Sequence, residues 1–367
     1  MAELLKNIYN ETFFRHFLSV VLSANPAFDT KGFMHSVFSD DWENLALKQR
    51  STRIAQVLNA FLEGDFRGKT EFLLSLIPKW EATGYKKQNL AFIFLPEFVA
   101  LFGIKDPEFS LSALEKITDF VSAEFAVRFF FSEYEKQTLE TFLKWSKSAN
   151  ENVRRLASEG SRPRLPWGIA LKSFQKNPLP CLPILENLLQ DPSEYVRKSV
   201  ANHLNDISKD NPDILKNFLQ KHIGKNPKTD SLLKHAARTL LKKGDVSVLK
   251  NFGIAKKSEF TAENLRLSHR QIRREETLSF SFEVKNLSSD SALMRLEYAV
   301  YYRKAKGSLS RKIFKISEGE LAAEASREFS RKISFQDLTT RKHYAGEHFF
   351  ALVINGAEQE KVGFELL

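Results

Sequence analysis

The chain predicts two domains of different class, an all-α array of stacked helix pairs followed by a small all-β sandwich. Three features carry that expectation. Up to about Gly253, apolar residues recur three and four apart, as in FFRHFLSVVL, RIAQVLNAFL and TEFLLSLI, which is the spacing of one helix face. From Leu265 the period becomes two, in TLSFSFEVKNL, LMRLEYAVYYR, RKIFKISEGEL, SREFSRKISF and HFFALVING, with turns between the runs. Within the helical part, a short polar turn followed by apolar-Arg/Lys-x-x-Ala/Val recurs in EFAVRFFF, ENVRRLASE, EYVRKSVANHL and SLLKHAARTLL.

A repeated helix pair cannot bury its apolar stripe alone, so neighbours must stack. The predicted fold is therefore an α-solenoid of HEAT-like helix pairs over 1–258. The second helix of a pair usually lines the concave side. Here those helices carry Arg128, Arg154, Arg155, Arg197, Lys198, Lys234 and Arg238, which predicts a basic trough suited to a duplex backbone. The helix of VRRLASEG should stop near Gly160 and Pro163, with Arg162 and Arg164 just beyond it. The polar stretch GIAKKSEFTAENL separates this part from 259–367. That tail resembles an immunoglobulin-like β-sandwich, with Tyr344 of YAGEHFFALVING placed like a tyrosine corner.

Composition narrows the function classes. At 367 residues there is room for two domains with their own cores. A net charge of +10, spread along the chain, favours an anionic partner, and nucleic acid above others. The single cysteine, Cys181, excludes an internal disulfide and fits a reducing compartment. No signal-length or membrane-length apolar run is present, so the expected location is cytoplasmic, at the bacterial nucleoid, with no membrane partner. GDFRGKT has one residue too few between its glycines for a phosphate loop and joins two helices, so it reads as a turn with an N-cap. There is no HExxH, no CxxC and no nucleophile elbow, and no metal or cofactor is expected. Chemistry is left to carboxylates, amides and arginines.

Three acids lie on the candidate trough helices. Glu124 precedes Arg128 by four residues, Glu159 follows Arg155 by four, and Asp206 follows Asn202 by four, so each shares a helix face with its neighbour. Each belongs to the second helix of a successive pair, and stacking would bring all three to one wall. Carboxylates facing phosphates would only repel them. They make sense facing a cation.

At VRRLASEGSRPRLPW the chain resembles the AlkC group of DNA alkylation-repair glycosylases, relatives of the HEAT-like AlkD group. The resemblance extends to LLKNIYNETFFRHFLSVVL, FDTKGFMHSVFSDDWENLALKQR and EYVRKSVANHLNDISKDNPD, and some members carry an immunoglobulin-like tail. It implies a monofunctional N-glycosylase that removes small cationic bases such as N3-methyladenine and N3-methylcytosine from double-stranded DNA, acting as a monomer. Carried over by residue, the acidic site falls on Glu124, Glu159 and Asp206, and Trp167 matches the family string. The AlkD relatives hold the lesion with two tryptophans, whereas Asn202 stands where one of these would be. Recognition then falls more heavily on the acids.

Chemistry agrees with the implied activity. A base already cationic leaves without a proton donor, so the enzyme need only stabilise an oxocarbenium-like sugar and position water. Asp206 or Glu159 is expected on water and sugar, with Glu124 completing the pocket. Arg154, Arg155, Arg162, Arg164, Arg197, Lys198, Lys234 and Arg238 are expected to bind DNA. So is the hairpin YYRKAKGSLSRKIFK, through Arg303, Lys304, Lys306 and Arg311. LSHRQIRR is a second basic run at the junction. The alternative is a non-catalytic HEAT-repeat scaffold for nucleic acid or an acidic protein, which would have no use for the three acids. A carbohydrate or cell-surface binder is disfavoured by the lack of a signal peptide and disulfides.

Overall fold

The computed structural model describes residues 5–39, 41–254, 259–337 and 342–367. Its contacts divide the chain into two compact units, Met1–Asn211 and Pro212–Leu367.

The first unit is helical. Its opening helix, Glu11–Ala24, begins where the Asn10 side chain accepts from Phe13 N, and it buries Phe13, Phe14, Phe17, Leu18, Val20 and Val21. An aromatic core grows from that face: Phe17 stacks on Trp80 at 5.4 Å, and Phe92 meets Phe120 edge-on at 4.8 Å. The GDFRGKT stretch is indeed a helix start, with Asp65 accepting from Gly68 N at 2.9 Å to cap Phe66–Ala82. Farther along, the helix Glu151–Gly160 packs against Glu194–Asp210. Gly160 lets its own helix come close to the helices Val127–Glu133 and Glu135–Trp145, because a Cβ would lie 2.7 Å from Val127 Cγ2 and 3.0 Å from the Phe142 ring.

The second unit joins the helices Pro212–His222, Pro227–Ala236, Arg238–Lys243 and Val246–Asn251 to the β-sandwich. The sequence boundary between 258 and 259 adjoins residues 255–258, which lie outside the described residues. The strands are β1 (Phe260–Leu267), β2 (Gln271–Ile272), β3 (Thr277–Asn286), β4 (Ala292–Arg303), β5 (Leu309–Leu321), β6 (Ser326–Ser334), β7 (Gly346–Ile354), β8 (Ala357–Glu358) and β9 (Val362–Leu366). One sheet has the order β1-β3-β6 and the other β2-β9-β7-β4-β5, with β8 paired to β7. The alternation of TLSFSFEVKN turns Leu278, Phe280, Phe282 and Val284 into the core, where Leu296, Val300, Phe350 and Leu352 also lie. The basic hairpin forms between β4 and β5: Arg303 faces Leu309, and Gly307, at φ +83°, turns the chain. Tyr344 is not a buried corner, since the residue is 38% exposed, while His343 beside it is buried.

A tight approach holds the helices to the strands within this unit. Gly244 and Gly356 both have positive φ, and a Cβ on Gly244 would lie 2.4 Å from the Gly356 carbonyl oxygen.

Candidate active site

The three acids are joined by two arginines into one ladder of charge. Glu124 Oε2 accepts from Arg155 Nη1 at 2.8 Å, and Arg155 Nη2 lies 3.6 Å from Glu159 Oε1. Arg162 Nη1 donates to the same Glu159 oxygen at 2.6 Å, while its Nη2 lies 2.7 Å from Asp206 Oδ2. Lys209 closes the far end, 2.8 Å from Asp206 Oδ1. Ser199 Oγ donates to Glu159 Oε2, and the Arg155 guanidinium lies 5.1 Å over the Tyr195 ring. Stacking two helices and the turn before a third has thus brought together acids up to 82 residues apart (206 − 124).

The ladder is graded in exposure. The Asp206 side chain is 1% exposed, Glu159 8% and Glu124 15%. Both oxygens of Asp206 and Glu159 are engaged by cations or a hydroxyl, whereas Glu124 Oε1 accepts no hydrogen bond from the described residues. Beneath the ladder, His203 is fully buried and its Nδ1 donates to the Ser158 carbonyl at 2.9 Å. Burial, reinforced by the Arg162 charge, pushes its pKa down to about 3, so the ring is neutral.

Several expected site residues sit elsewhere than the helical spacing implied. Glu124 lies in the turn before the helix Val127–Glu133, so its partner is Arg155 and not Arg128. Arg128 is fully buried, donating from Nε to Ile169 O at 2.6 Å and from Nη1 to Gly160 O at 2.9 Å. Burial lowers its pKa to about 10, which leaves it charged at neutral pH. Arg154 is held by Asp191 at 2.6 Å, and Arg197 by the Asp191 and Pro192 carbonyls. Arg162 is interior, and Lys234 pairs with Glu318 inside the second unit. Arg128 and Arg162 meet protein partners because the inner faces of stacked helices lack water, and a cation there needs an acceptor. Lys198, Arg303, Lys304 and Lys306 are exposed, while Arg164 pairs with Asp210, Arg311 with Glu358, and Arg238 donates to the His235 carbonyl. Asn202 lies half-buried on the helix that carries Asp206. Cys181 is fully buried, and that burial pushes its thiol pKa up, the wrong direction for a nucleophile.

Trp167 stands apart from the chain's other tryptophans. It is 64% exposed, against 4% for Trp42, 0% for Trp80 and 3% for Trp145. Its φ is +64°, the left-handed region, and it is the one aromatic among the described non-glycine residues with positive φ. Such a backbone costs of order 1–3 kcal/mol in a bulky residue and persists only where the surroundings enforce it. Lys48 Nζ donates to the Trp167 carbonyl at 3.1 Å and lies 4.8 Å over the ring of Phe125, the residue after Glu124.

Ser199, Tyr195, Lys209 and Lys48 were not among the residues singled out in the sequence. Lys209 lies three after Asp206, so helical spacing places it beside that acid; Ser199, seven before, shares the helix face but meets Glu159 of the neighbouring helix instead. Lys48 is 119 residues from Trp167, and no local pattern links them.

Comparison with known proteins places the chain in a family. Residues 115–240 match the model of the DNA alkylation repair enzyme family, and residues 261–367 match that of the C-terminal Ig-like domain of the uncharacterised protein YhaZ. The chain is 39% identical over 362 residues to the uncharacterized protein YhaZ of Bacillus subtilis (strain 168), covering 99% of each. It also superposes on the alkylpurine DNA glycosylase AlkC of Pseudomonas fluorescens, solved bound to DNA containing an abasic site analogue. There the TM-score is 0.93 and the identity 36%, with 100% of both chains covered. Matched from end to end in sequence and in structure, the chain belongs to the AlkC group of DNA alkylation-repair glycosylases.

Proposed function

We infer that this chain is a monofunctional DNA N-glycosylase that binds double-stranded DNA and excises small cationic alkylated bases, N3-methyladenine and N3-methylcytosine among them. One observation carries the reading: a buried ladder of three carboxylates ends on an uncommitted oxygen, Glu124 Oε1, and Lys48 ties the residue after Glu124 to an exposed and strained tryptophan. A structural ion network has no need to carry its uncommitted oxygen on a side chain that solvent reaches; in the Arg295–Glu297 pair the unpartnered Glu297 Oε2 is buried.

The chemistry follows from charge. When the bond between C1′ and the base nitrogen breaks, its electron pair goes to the base, which leaves neutral. The sugar is left an oxocarbenium-like cation. Glu124 is the acid placed to stabilise that cation and to accept the proton of the water that attacks C1′, giving an abasic sugar and a free base. Asp206 and Glu159 take a different part from the one expected of them. Their oxygens are spent on Arg162, Lys209 and Ser199, so they fix Arg155 and Arg162, and through Arg155 they orient Glu124. Trp167 offers a flat apolar face to the base stack, and Asn202 lines the same helix as Asp206. The exposed Lys198, Arg303, Lys304 and Lys306 are the side chains suited to phosphate. A chromosomal substrate would place the protein in the cytoplasm, at the nucleoid.

Incubation of the purified chain with methylated duplex, followed by chromatography of released bases, tests the reading. Free N3-methyladenine is expected, with loss of about 10²- to 10³-fold in rate for Glu124→Gln, the usual effect of removing one preorganised electrostatic group. Duplex binding without release of any base would leave the non-catalytic scaffold as the correct description.

A further inference from the structure

Nothing in the acid ladder explains how Trp167 is held. Its φ of +64° is unfavourable for an indole-bearing residue, and its side chain has little packing of its own. The restraint must act through the backbone, and the carbonyl contacts of the loop after Gly160 show where. Arg128 spans that loop from below, binding the carbonyls of Gly160 and Ile169 with two different guanidinium nitrogens. Its third nitrogen, Nη2, is buried without a hydrogen bond, so the side chain is placed for these two carbonyls and not for a carboxylate. The loop closes tightly on it: a Cβ on Gly168 would lie 3.2 Å from Arg128 Cδ. From the outer side, Lys48 binds the carbonyl of Trp167 itself while its ammonium rests over Phe125. Gly168 N donates to Leu165 O at 3.2 Å and Leu171 N to Pro163 O at 3.2 Å, completing the turn.

We propose that Lys48 and Arg128 are positioning residues that clamp the 161–171 loop from opposite sides and hold Trp167 left-handed and facing solvent. This rests on the glycosylase reading for its consequence, a rigid aromatic plane presented to the base stack beside Glu124, but the clamp itself is a property of the protein alone. The two cations act differently. Arg128 is interior, and its planar fork reaches two carbonyls that a lysine ammonium could not bridge together. Lys48 is exposed and couples the tryptophan to the turn that carries Glu124, so its loss loosens the indole without opening the core.

Lys48→Met is the decisive variant, since an exposed side chain can be replaced without unfolding the chain. Acrylamide reaches Trp167 and not the three buried tryptophans, so the emission it removes isolates the Trp167 signal, and its anisotropy decay reads the indole's motion. Lys48→Met should add a fast depolarising component to that signal while circular dichroism and the unfolding midpoint stay as in the parent. On methylated duplex, single-turnover release should fall about ten- to a hundredfold with duplex affinity within about twofold, the pattern of misplacement rather than of weakened binding. Lys48→Arg, which can still donate to the carbonyl, should restore both readouts. Unchanged indole motion in Lys48→Met, or a loss confined to affinity with a flatter salt dependence, would make Lys48 a phosphate contact and overturn the clamp. If the parent protein releases no base at all, the glycosylase reading fails, and the anisotropy measurement still decides the clamp.

Discussion

Two buried charge networks, one in each unit, show what separates a structural cluster from a candidate active site. In the second unit Arg295 binds Glu297 at 2.7 Å and Glu318 at 2.6 Å, and Glu318 also binds Lys234 and Lys315. That cluster fastens the helix Pro227–Ala236 to strand β5, and its acids are nearly sealed from solvent. The ladder in the first unit has similar chemistry, a similar number of charges and similar distances. The difference lies at its edge: exposure rises from Asp206 to Glu124, so the uncommitted Glu124 oxygen sits on a side chain that solvent reaches, whereas the unpartnered Glu297 Oε2 of the second cluster is buried, and an exposed aromatic is held against its backbone preference in the same unit as the ladder. Burial and pairing of charge are therefore poor markers of function by themselves, and an open end is a better one.

The comparison can be broken most directly by removing one acid from each network. Asp206→Asn and Glu318→Gln should each lower the unfolding free energy by about 3–5 kcal/mol, because each strands buried cations. Only Asp206→Asn should also slow base release, measured in single turnover below both unfolding midpoints. Equal activity loss in both would make the ladder a purely structural network. Next in size is Glu124→Gln, which should cost about 2.7–4 kcal/mol in the barrier while leaving the unfolding midpoint nearly unchanged. A large drop in stability there would show that the open end is a packing feature.

Acid separates the two networks by different groups. His203 has its pKa depressed by burial from 6.5 to about 3, so its neutral form stabilises the fold fully above pH 6.5. That contribution is lost as pH falls from 6.5 toward 3, with a slope near 1.4 kcal/mol per pH unit for the one proton. Urea midpoints across that range should fall, and His203→Gln should flatten the trend. Glu318 behaves otherwise. Burial alone would raise its carboxyl pKa, but hydrogen bonds from Lys234 and Lys315 outweigh that and hold it below the usual range. Its contribution is present above about pH 4.5 and fades below. The smallest expected effect is on the β4–β5 hairpin. Replacing Arg303, Lys304 and Lys306 by alanine should reduce the salt slope of duplex binding by about 1 for each phosphate that is no longer neutralised. An unchanged slope would remove the hairpin from the DNA interface.

Much of the architecture was legible in the sequence. The change of period from 3.6 to 2 separated helices from strands, the turn at Asp65 declared itself an N-cap, and YYRKAKGSLSRKIFK read as a hairpin. The three acids were singled out too, by their places on the repeated helices and by the resemblance, Glu124 in EFAVR, Glu159 in SEG and Asp206 in HLND. Their roles were not legible. Helical spacing put Glu124 beside Arg128, but Glu124 precedes the helix, so the i,i+4 geometry never forms. Likewise, seven cations on the second helices read as one trough, because spacing along a helix cannot say which side of it is covered.

Periodicity, turn residues and charge are local quantities, encoded within a few residues, and they determined the order of elements, the basic character and the identity of the candidate acids. Which acid keeps an open oxygen, which arginines are sealed inside, and why Trp167 holds a left-handed backbone depend on residues brought together from as far as 119 positions apart. Those contacts exist only after the helices stack, because desolvation, and with it the need for each buried charge to find a partner, is created by packing itself.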